Sequence, residues 1–136
     1  MRRSWLRVLI LFGPFLLVLG SPSCGYDQQL VSIGVSPKNT TIIGAGLQLQ
    51  FIALGSYIHP PESKDITTTV MWKSDAEQII SFSPDTPGLA ISGTGCGTNI
   101  GISAIIYSNP SNPSAGTAVI GRTTVSVTQP NDPNCP

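Results

Sequence analysis

The feature that most restricts the fold is the spacing of apolar residues, which alternate with polar ones in short runs. Residues 47–53 read LQLQFIA, and residues 100–106 read IGISAII. A period of two is that of a β-strand with one buried face. No stretch shows the 3.6-residue apolar period of an amphipathic helix, and Gly, Pro, Ser, Thr and Asn separate the runs. The sequence therefore predicts an all-β protein.

The runs are numerous and regularly spaced. Predicted strands occupy residues 31–35, 40–43, 47–53, 67–75, 80–82, 89–91, 100–106 and 118–128. Residues 55–65 and 108–116 are predicted loops, and Pro84 to Gly88 form a strong turn signal. Seven or eight short strands within roughly 100 residues are typical of an immunoglobulin-like antiparallel β-sandwich. A chain of 136 residues has room for one such domain.

The run TTTVMWKSD at residues 67–75 contains the Trp that we expect at the centre of the core. Thr68, Val70 and Trp72 share one side of a strand with period two. Trp72 is the largest apolar side chain outside the first 23 residues. Burial of so large a side chain dominates the energetics of a small core. The predicted core comprises Trp72, Phe51, Phe82 and Ile102.

The first 23 residues have the three-part pattern of an export signal: a basic head, an apolar stretch and small residues. The apolar stretch, residues 8–19, would span about 18 Å as a helix, too short for a ~30 Å hydrocarbon core. A permanent membrane anchor is the alternative. Arg2 and Arg3 also permit twin-arginine export, although we favour the general secretory route. Without these residues four basic and seven acidic side chains remain, which gives no basic surface for nucleic acid.

Cys24 follows the small residues and resembles the lipidated Cys of bacterial lipoproteins. Ser23 fits that pattern, whereas Ser21 and Pro22 depart from it. Lipidation of Cys24 would place the protein in the cell envelope, bound to a bacterial membrane only through its lipid. The alternative is ordinary cleavage nearby, which gives a periplasmic or secreted protein. The predicted organisation is a signal (1–23), a tether (24–29), a domain (30–128) and a Pro-rich tail (129–136).

The order of motifs resembles the bacterial Ig-like domain, group 2. The resemblance covers about residues 30–128 and rests on VSP at 35–37, LQLQF at 47–51, VMWKSD at 70–75, GLA at 88–90 and a Gly-rich step into residues 100–106. Trp72 with Ser74 is its most specific part, and Lys73 replaces the family's usual Ser. The resemblance implies a sandwich of the kind used in adhesins and other envelope proteins. It carries no catalytic residues.

Three Cys in an exported chain suggest one disulfide. If Cys24 carries lipid, Cys96 and Cys135 remain. Cys96 precedes the strand at 100–106 and Cys135 follows the strand at 118–128, so a hairpin would bring them to the same edge. Two free thiols or a mixed disulfide are the alternatives, and the Cys and His spacing does not suggest a metal site.

No nucleophile and base can be assembled from these residues, so we expect no enzyme, no catalytic residue and no cofactor. Asp75, Glu77 and Asp85 lack the regular spacing of a calcium loop, and we expect a solvated acidic rim. The predicted function is binding or adhesion to a protein or glycan at the cell surface. The alternative is a structural or accessory subunit of an envelope assembly. The candidate binding loops carry Tyr57 and His59 in one case, and Tyr107 and Asn109 in the other.

Overall fold

The computed structural model describes residues 28–108 and 116–135, and in these residues the chain is entirely β-structure. The strands are β1 (Gln29–Ser36), β2 (Thr40–Ile43), β3 (Gln48–Gln50), β4 (Ile52–Ile58), β5 (Glu62–Asp65), β6 (Met71–Ser74), β7 (Ile80–Phe82), β8 (Leu89–Ser92), β9 (Gly97–Tyr107) and β10 (Ala118–Thr128). The predicted export signal, Cys24 and Asn109 lie outside the described residues.

The strands form the two layers of an immunoglobulin-like sandwich. One layer is a four-stranded sheet in the order β2-β10-β9-β6, in which β2 runs parallel to β10 and the other pairs are antiparallel. The other layer consists of β1-β4-β5 and β3-β8-β7, all antiparallel. β1 and β2, which follow each other in the chain, therefore belong to different layers. The predicted fold class is confirmed.

The strand count reaches ten because one predicted strand is divided and one predicted loop contains a strand. The chain changes pairing at Phe51, whose N–H donates to the Gly88 carbonyl 2.8 Å away, so β3 and β4 are separate segments. The prediction of a loop at residues 55–65 was wrong. Those residues complete β4 and add β5, whose polar sequence ESKD contains no apolar alternation to reveal a strand.

The strand predicted at residues 67–75 is shorter than expected. Only Met71–Ser74 are extended, and Thr68 is exposed, so it does not share a buried side with Val70. Asp65 Oδ1 accepts the Thr67 N–H at 2.9 Å, and the Ile66 carbonyl accepts the N–H groups of Thr69 and Val70. These local hydrogen bonds form a turn that overrides the β-propensity of three consecutive Thr residues.

The core lies between the sheets, and Phe51 rather than Trp72 is its largest fully buried side chain. Phe51 and Ile102 are 0% exposed, and Trp72 and Phe82 are partly buried against the same cluster. The Trp72 ring stacks on Phe82 with centroids 5.4 Å apart, and Phe51 lies 6.1 Å from Trp72 and 6.0 Å from Phe82. The three rings therefore fill one end of the core as a single aromatic group.

The predicted disulfide joins Cys96 to Cys135, with Cα atoms 5.7 Å apart. β9 and β10 are antiparallel neighbours, so the start of β9 lies beside the end of β10. The tail then returns through two turns. In the first, the Gln129 carbonyl accepts the Asp132 N–H, and in the second the Asp132 carbonyl accepts the Cys135 N–H. The Gln129 amide also donates to the Gly93 carbonyl at 3.1 Å. The bond fixes the tail against the sandwich.

Different segments of the chain lie at the two ends of the sandwich. One end contains the disulfide and the loop between β2 and β3. The other contains the start of β1, the end of β4 and the end of β9. The chain enters the domain at this second end, because β1 begins at Gln29 opposite Ile58. We call it the tether end.

Candidate functional site

The described residues of the two loops predicted to bind a ligand, Tyr57, His59 and Tyr107, lie at the tether end. Tyr57 pairs with Leu30 at the start of β1, and Tyr107 pairs with Ala118 at the far end of the β9–β10 hairpin. His59 is exposed just beyond β4. The structure therefore brings Tyr57, His59 and Tyr107 to one end, and it is the end at which β1 begins.

Tyr57 is part of the framework at this end. Its ring packs against the core cluster, and Lys64 Nζ lies 5.4 Å from the ring centroid. Lys64 also donates to Gln28 Oε1 at 2.7 Å and pairs with Glu62 at 3.1 Å. The Gln28 amide donates to Glu62 at 2.9 Å, and these contacts with Gln28 and Lys64 hold the pKa of Glu62 below its ordinary value. The contacts attach the first described residue of the chain to β5.

A polar groove of about 440 Å³ lies on the outer face of the four-stranded sheet. It runs across β6, β9 and β10, and its volume falls within the range of small-ligand sites. The polar side chains that line it belong to Asn39, Asp75, Asn99, Ser103, Arg122 and Thr124. We call this site the sheet groove.

Gly101 makes the floor of the sheet groove. It lies in the middle of β9, paired with Thr124 on β10, and its carbonyl accepts the Asp75 N–H at 2.9 Å. A methyl group built on Gly101 would overlap the Asp75 carboxylate. The Asp75 carboxylate therefore fills the space over β9 that a side chain at position 101 would occupy.

The charged groups of the sheet groove come from segments on the two sides of β9, and the Asp75 carboxylate reaches over Gly101. Asp75 follows β6, whereas Arg122 lies on β10 opposite Ser103. Because neighbouring strands are about 4.8 Å apart, two strand spacings separate these backbones by about 10 Å. Among the described residues neither side chain has a hydrogen-bond or ion-pair partner. The Asp75 carboxylate, which only accepts hydrogen bonds, and the Arg122 guanidinium, which only donates them, therefore both face the groove without forming an ion pair with each other.

Ser103 provides a third group without a partner. The residue is only 8% exposed, yet its hydroxyl makes no hydrogen bond to the rest of the described chain. No buried side-chain nitrogen or oxygen atom of the described residues lacks a hydrogen-bond partner, so the Ser103 hydroxyl is reached by solvent in the open groove. Water can satisfy this hydroxyl, and a bound molecule can take the place of that water.

Two asparagines close the end of the groove. Asn39 and Asn99 have φ angles of 47° and 53°, and they are two of the three described non-glycine residues in the left-handed region. The Asn39 side-chain oxygen accepts the Thr124 hydroxyl at 3.0 Å, and the Asn99 N–H donates to the Ser126 hydroxyl at 3.1 Å. The side-chain N–H groups of both residues remain available to a ligand.

An apolar row borders the groove on the same face. Met71, Ile105 and Ile120 lie side by side on β6, β9 and β10. Met71 is 55% exposed and Ile120 is 43% exposed. The outer face of this sheet thus carries polar groups toward the disulfide end and apolar surface toward the tether end.

Sequence reasoning did not identify the groove residues as a site. The sequence places Asp75 only in a solvated acidic rim, and nothing in it singles out Arg122, Ser103 or Thr124. Their proximity depends on the β9–β10 register, which pairs Arg122 with Ser103. Alternation along each strand gives the outward side chains, and the hairpin register then shows which of them are neighbours.

Within residues 28–108 and 116–135, no three His, Cys, Asp or Glu side chains converge on a possible metal site. The described part of the chain also has no helix capable of spanning a membrane. Fold and site together define an all-β immunoglobulin-like sandwich with a polar groove on one outer face. In comparisons with known proteins, no family model and no curated protein matches the chain.

Proposed function

We propose that the protein is an exported, non-enzymatic binding module of the bacterial cell envelope that contacts its partner through the outer face of the four-stranded sheet. The observation that carries the proposal is the sheet groove, where the Ser103 hydroxyl, the Asp75 carboxylate and the Arg122 guanidinium all lack partners among the described residues. Concave sites with a few convergent polar groups are characteristic of ligand binding.

Export is supported by the basic head and apolar stretch of the first 23 residues, and by the disulfide. Disulfides persist in oxidising compartments outside the cytoplasm. A lipid on Cys24 would attach the domain to a bacterial membrane through the short tether. The motifs around Trp72 and Ser74 support membership of the bacterial Ig-like group 2 family.

The position of the tether favours the sheet face over the two loops first considered. An anchor at Cys24 lies four residues before Gln28, whose amide is bonded to Glu62 and Lys64 beside the Tyr57 loop. Four residues extend at most about 14 Å. The loops carrying His59 and Tyr107 would then lie close to the membrane, whereas the sheet groove lies farther along the domain and remains accessible.

The experiment is capture of envelope material by the purified, oxidised protein. Thr124→Arg places a long side chain in the groove and is expected to reduce capture at least tenfold. Ser81→Arg is the matched control, because Ser81 is an exposed outward position on β7 in the opposite layer. Tyr57→Ala tests the tether-end loop.

Capture that Thr124→Arg leaves intact and Tyr57→Ala abolishes would show that binding occurs at the loops. If the wild-type protein captures nothing, an accessory subunit without its own ligand is the better description. Cys24→Ser, assayed by fatty-acid labelling, tests the anchor separately.

A further inference from the structure

We infer that the loop between β2 and β3 is a second contact surface, which inserts two exposed aliphatic side chains into an apolar cleft of a protein partner bordered by basic groups. We call residues 43–47, which read IGAGL, the apolar tip. The inference goes beyond the proposed function, because the apolar tip lies at the disulfide end and shares no residue with the sheet groove.

The apolar tip exposes contiguous aliphatic surface. Ile43 is 61% exposed, more than any other large hydrophobic residue in the described part of the chain, and Leu47 is 47% exposed. The Leu47 side chain packs over Gly44, and the residues between Ile43 and Leu47 carry no polar side chain. Single exposed aliphatic residues are ordinary on protein surfaces, whereas contiguous exposed apolar surface marks sites of interaction.

Ser92 holds the apolar tip in one conformation. Its hydroxyl, in a residue that is only 2% exposed, donates to the Gly44 carbonyl at 2.8 Å and accepts the Leu47 N–H at 3.0 Å. The Ser92 backbone accepts the Gly46 N–H at 2.8 Å and donates to the Leu47 carbonyl at 2.9 Å. These backbone groups have partners within the domain, so the tip can enter an apolar cleft without losing those hydrogen bonds. Because the loop is already ordered, binding costs little conformational entropy.

The charged side chains near the apolar tip are acidic. Asp132 follows Thr128, whose carbonyl accepts the Gly44 N–H at 2.9 Å, and Glu77 lies just before the Ile79 carbonyl that accepts the Gly93 N–H beside Ser92. The basic side chains of the described residues belong to β5, β6, β10 and the turn between β1 and β2: Lys64, Lys73, Arg122 and Lys38.

This distribution of charge favours a protein over a membrane as the partner. Basic groups around an apolar cleft complement the acidic side chains, whereas an anionic lipid surface repels them. In the proposed function the domain is anchored at its tether end, and the apolar tip lies at the other end, farther from that membrane. Both observations point to an envelope protein.

Site-specific photocrosslinking of the full chain in intact cells tests the inference. A benzophenone side chain at Ala45 should give a discrete protein adduct, and the same group at the exposed Ser81 on β7 should not. Ile43→Ser combined with Leu47→Ser should reduce the Ala45 adduct at least tenfold. An absent adduct, or one that this double variant leaves unchanged, would overturn the inference.

The matched control is Ile52→Ser combined with Leu54→Ser. These residues are aliphatic and 42% and 48% exposed, but they lie on β4 outside the apolar tip, so the Ala45 adduct should persist. Thermal unfolding of both double variants establishes that each is folded. Loss of the adduct in the folded control as well would overturn the inference, because the tip would then have no special role.

Two further measurements test the charge and the class of partner. Glu77→Gln combined with Asp132→Asn should reduce the adduct about threefold, because the complementary charges are lost; an unchanged adduct would overturn the basic border. Cys24→Ser protein should not cosediment with phosphatidylcholine vesicles, with or without phosphatidylglycerol. Vesicle binding that Ile43→Ser with Leu47→Ser abolishes would assign the tip to lipid and overturn the protein partner.

Thr124→Arg separates this inference from the proposed function. The variant blocks the sheet groove, which lies apart from the loop, and should leave the Ala45 adduct intact. An adduct that Thr124→Arg abolishes would belong to the partner of the groove and would overturn the apolar tip as a separate surface. Failure of Thr124→Arg to reduce envelope capture, with the adduct present, would count against the groove alone.

Discussion

At the scale of single residues, Thr67 connects three separate parts of the domain. Its hydroxyl accepts the Ala53 N–H of β4 at 2.9 Å, and its N–H donates to Asp65 at the end of β5. Its carbonyl accepts the Trp72 indole N–H at 3.0 Å. The residue is buried, so each of these backbone and side-chain groups would otherwise lack a partner. The hydrogen bonds of Thr67 therefore position the turn that leads into β6.

Replacement of Trp72 separates its ring contacts from its hydrogen bond. Trp72→Phe keeps an aromatic ring against Phe82 but leaves the Thr67 carbonyl unpaired, and we expect a loss of about 1–2 kcal/mol in the free energy of unfolding. Trp72→Ala also removes the ring, and we expect a loss of about 3–5 kcal/mol. Urea unfolding measures both. Equal effects of the two variants would show that the ring contributes little.

Asp65 gives the domain a predictable response to acid. The Thr67 side chain, and then the Thr67 backbone N–H, lower the pKa of Asp65 below its ordinary value. A group with a lowered folded-state pKa stabilises the protein above its unfolded pKa, and this contribution disappears as pH falls through the folded value. Stability should therefore decline from about pH 4 downward. Asp65→Asn retains an acceptor but cannot titrate, so its unfolding midpoint should fall less with acid. If the unfolding midpoints of the wild-type protein and Asp65→Asn fall equally as the pH is lowered, this role of Asp65 is contradicted.

At the scale of elements, Gly88 determines how the β7–β8 turn packs on the break between β3 and β4. Its φ is 80°, and its carbonyl accepts the Phe51 N–H. A Cβ at this position would meet the Phe51 carbonyl and come within 3.0 Å of the Thr67 methyl group. The glycine is thus required by both backbone conformation and space.

Gly88→Ala and Gly46→Ala distinguish these two requirements. Gly46 has a similar φ of 72°, but nothing lies within 4 Å of an added Cβ. Gly46→Ala should cost only the left-handed backbone penalty of about 1–2 kcal/mol. Gly88→Ala should cost about 1–3 kcal/mol more, because the methyl group overpacks the turn. Thermal unfolding of both variants checks the difference, and equal losses would contradict the packing argument.

The disulfide joins elements that are 39 residues apart in the sequence. In the chain-entropy description, closing a loop of this length stabilises the folded state by about 4 kcal/mol. The double variant Cys96→Ser, Cys135→Ser should lose about that amount relative to the oxidised protein. It should match the reduced wild-type protein, which serves as its control. Full stability in the double variant would show that the tail is held by its other contacts.

The elements also show where sequence reasoning succeeds. Alternation located β9 and β10, because their inward positions include Ile100, Ile102, Ala104, Val125 and Val127, which are all buried. The position of the two Cys beside this hairpin predicted the disulfide. β5 was missed because both faces of a short charged strand are exposed, so hydrophobic periodicity contains no signal. The sheet groove was missed because it depends on the register between three strands and on the position of Asp75 over Gly101.

At the scale of the whole molecule, the two ends of the domain carry different features. β1 begins at one end, the disulfide lies at the other, and the groove opens on the side between them. In the proposed function this arrangement would separate attachment from recognition, since Glu62 and Lys64, which bond to Gln28, do not line the groove. An anchored domain of this kind would present its sheet face to molecules of the envelope.

The central claim is that recognition occurs on the outer face of the four-stranded sheet. NMR titration of the ¹⁵N-labelled, oxidised protein with solubilised envelope extract tests it most directly, because each amide reports its own environment. We expect the largest shifts at Gly101, Ser103 and Thr124, with small shifts at Ser81 on the opposite layer. Shifts confined to Tyr57, His59 and Tyr107 at the tether end, or no shifts at all, would contradict it.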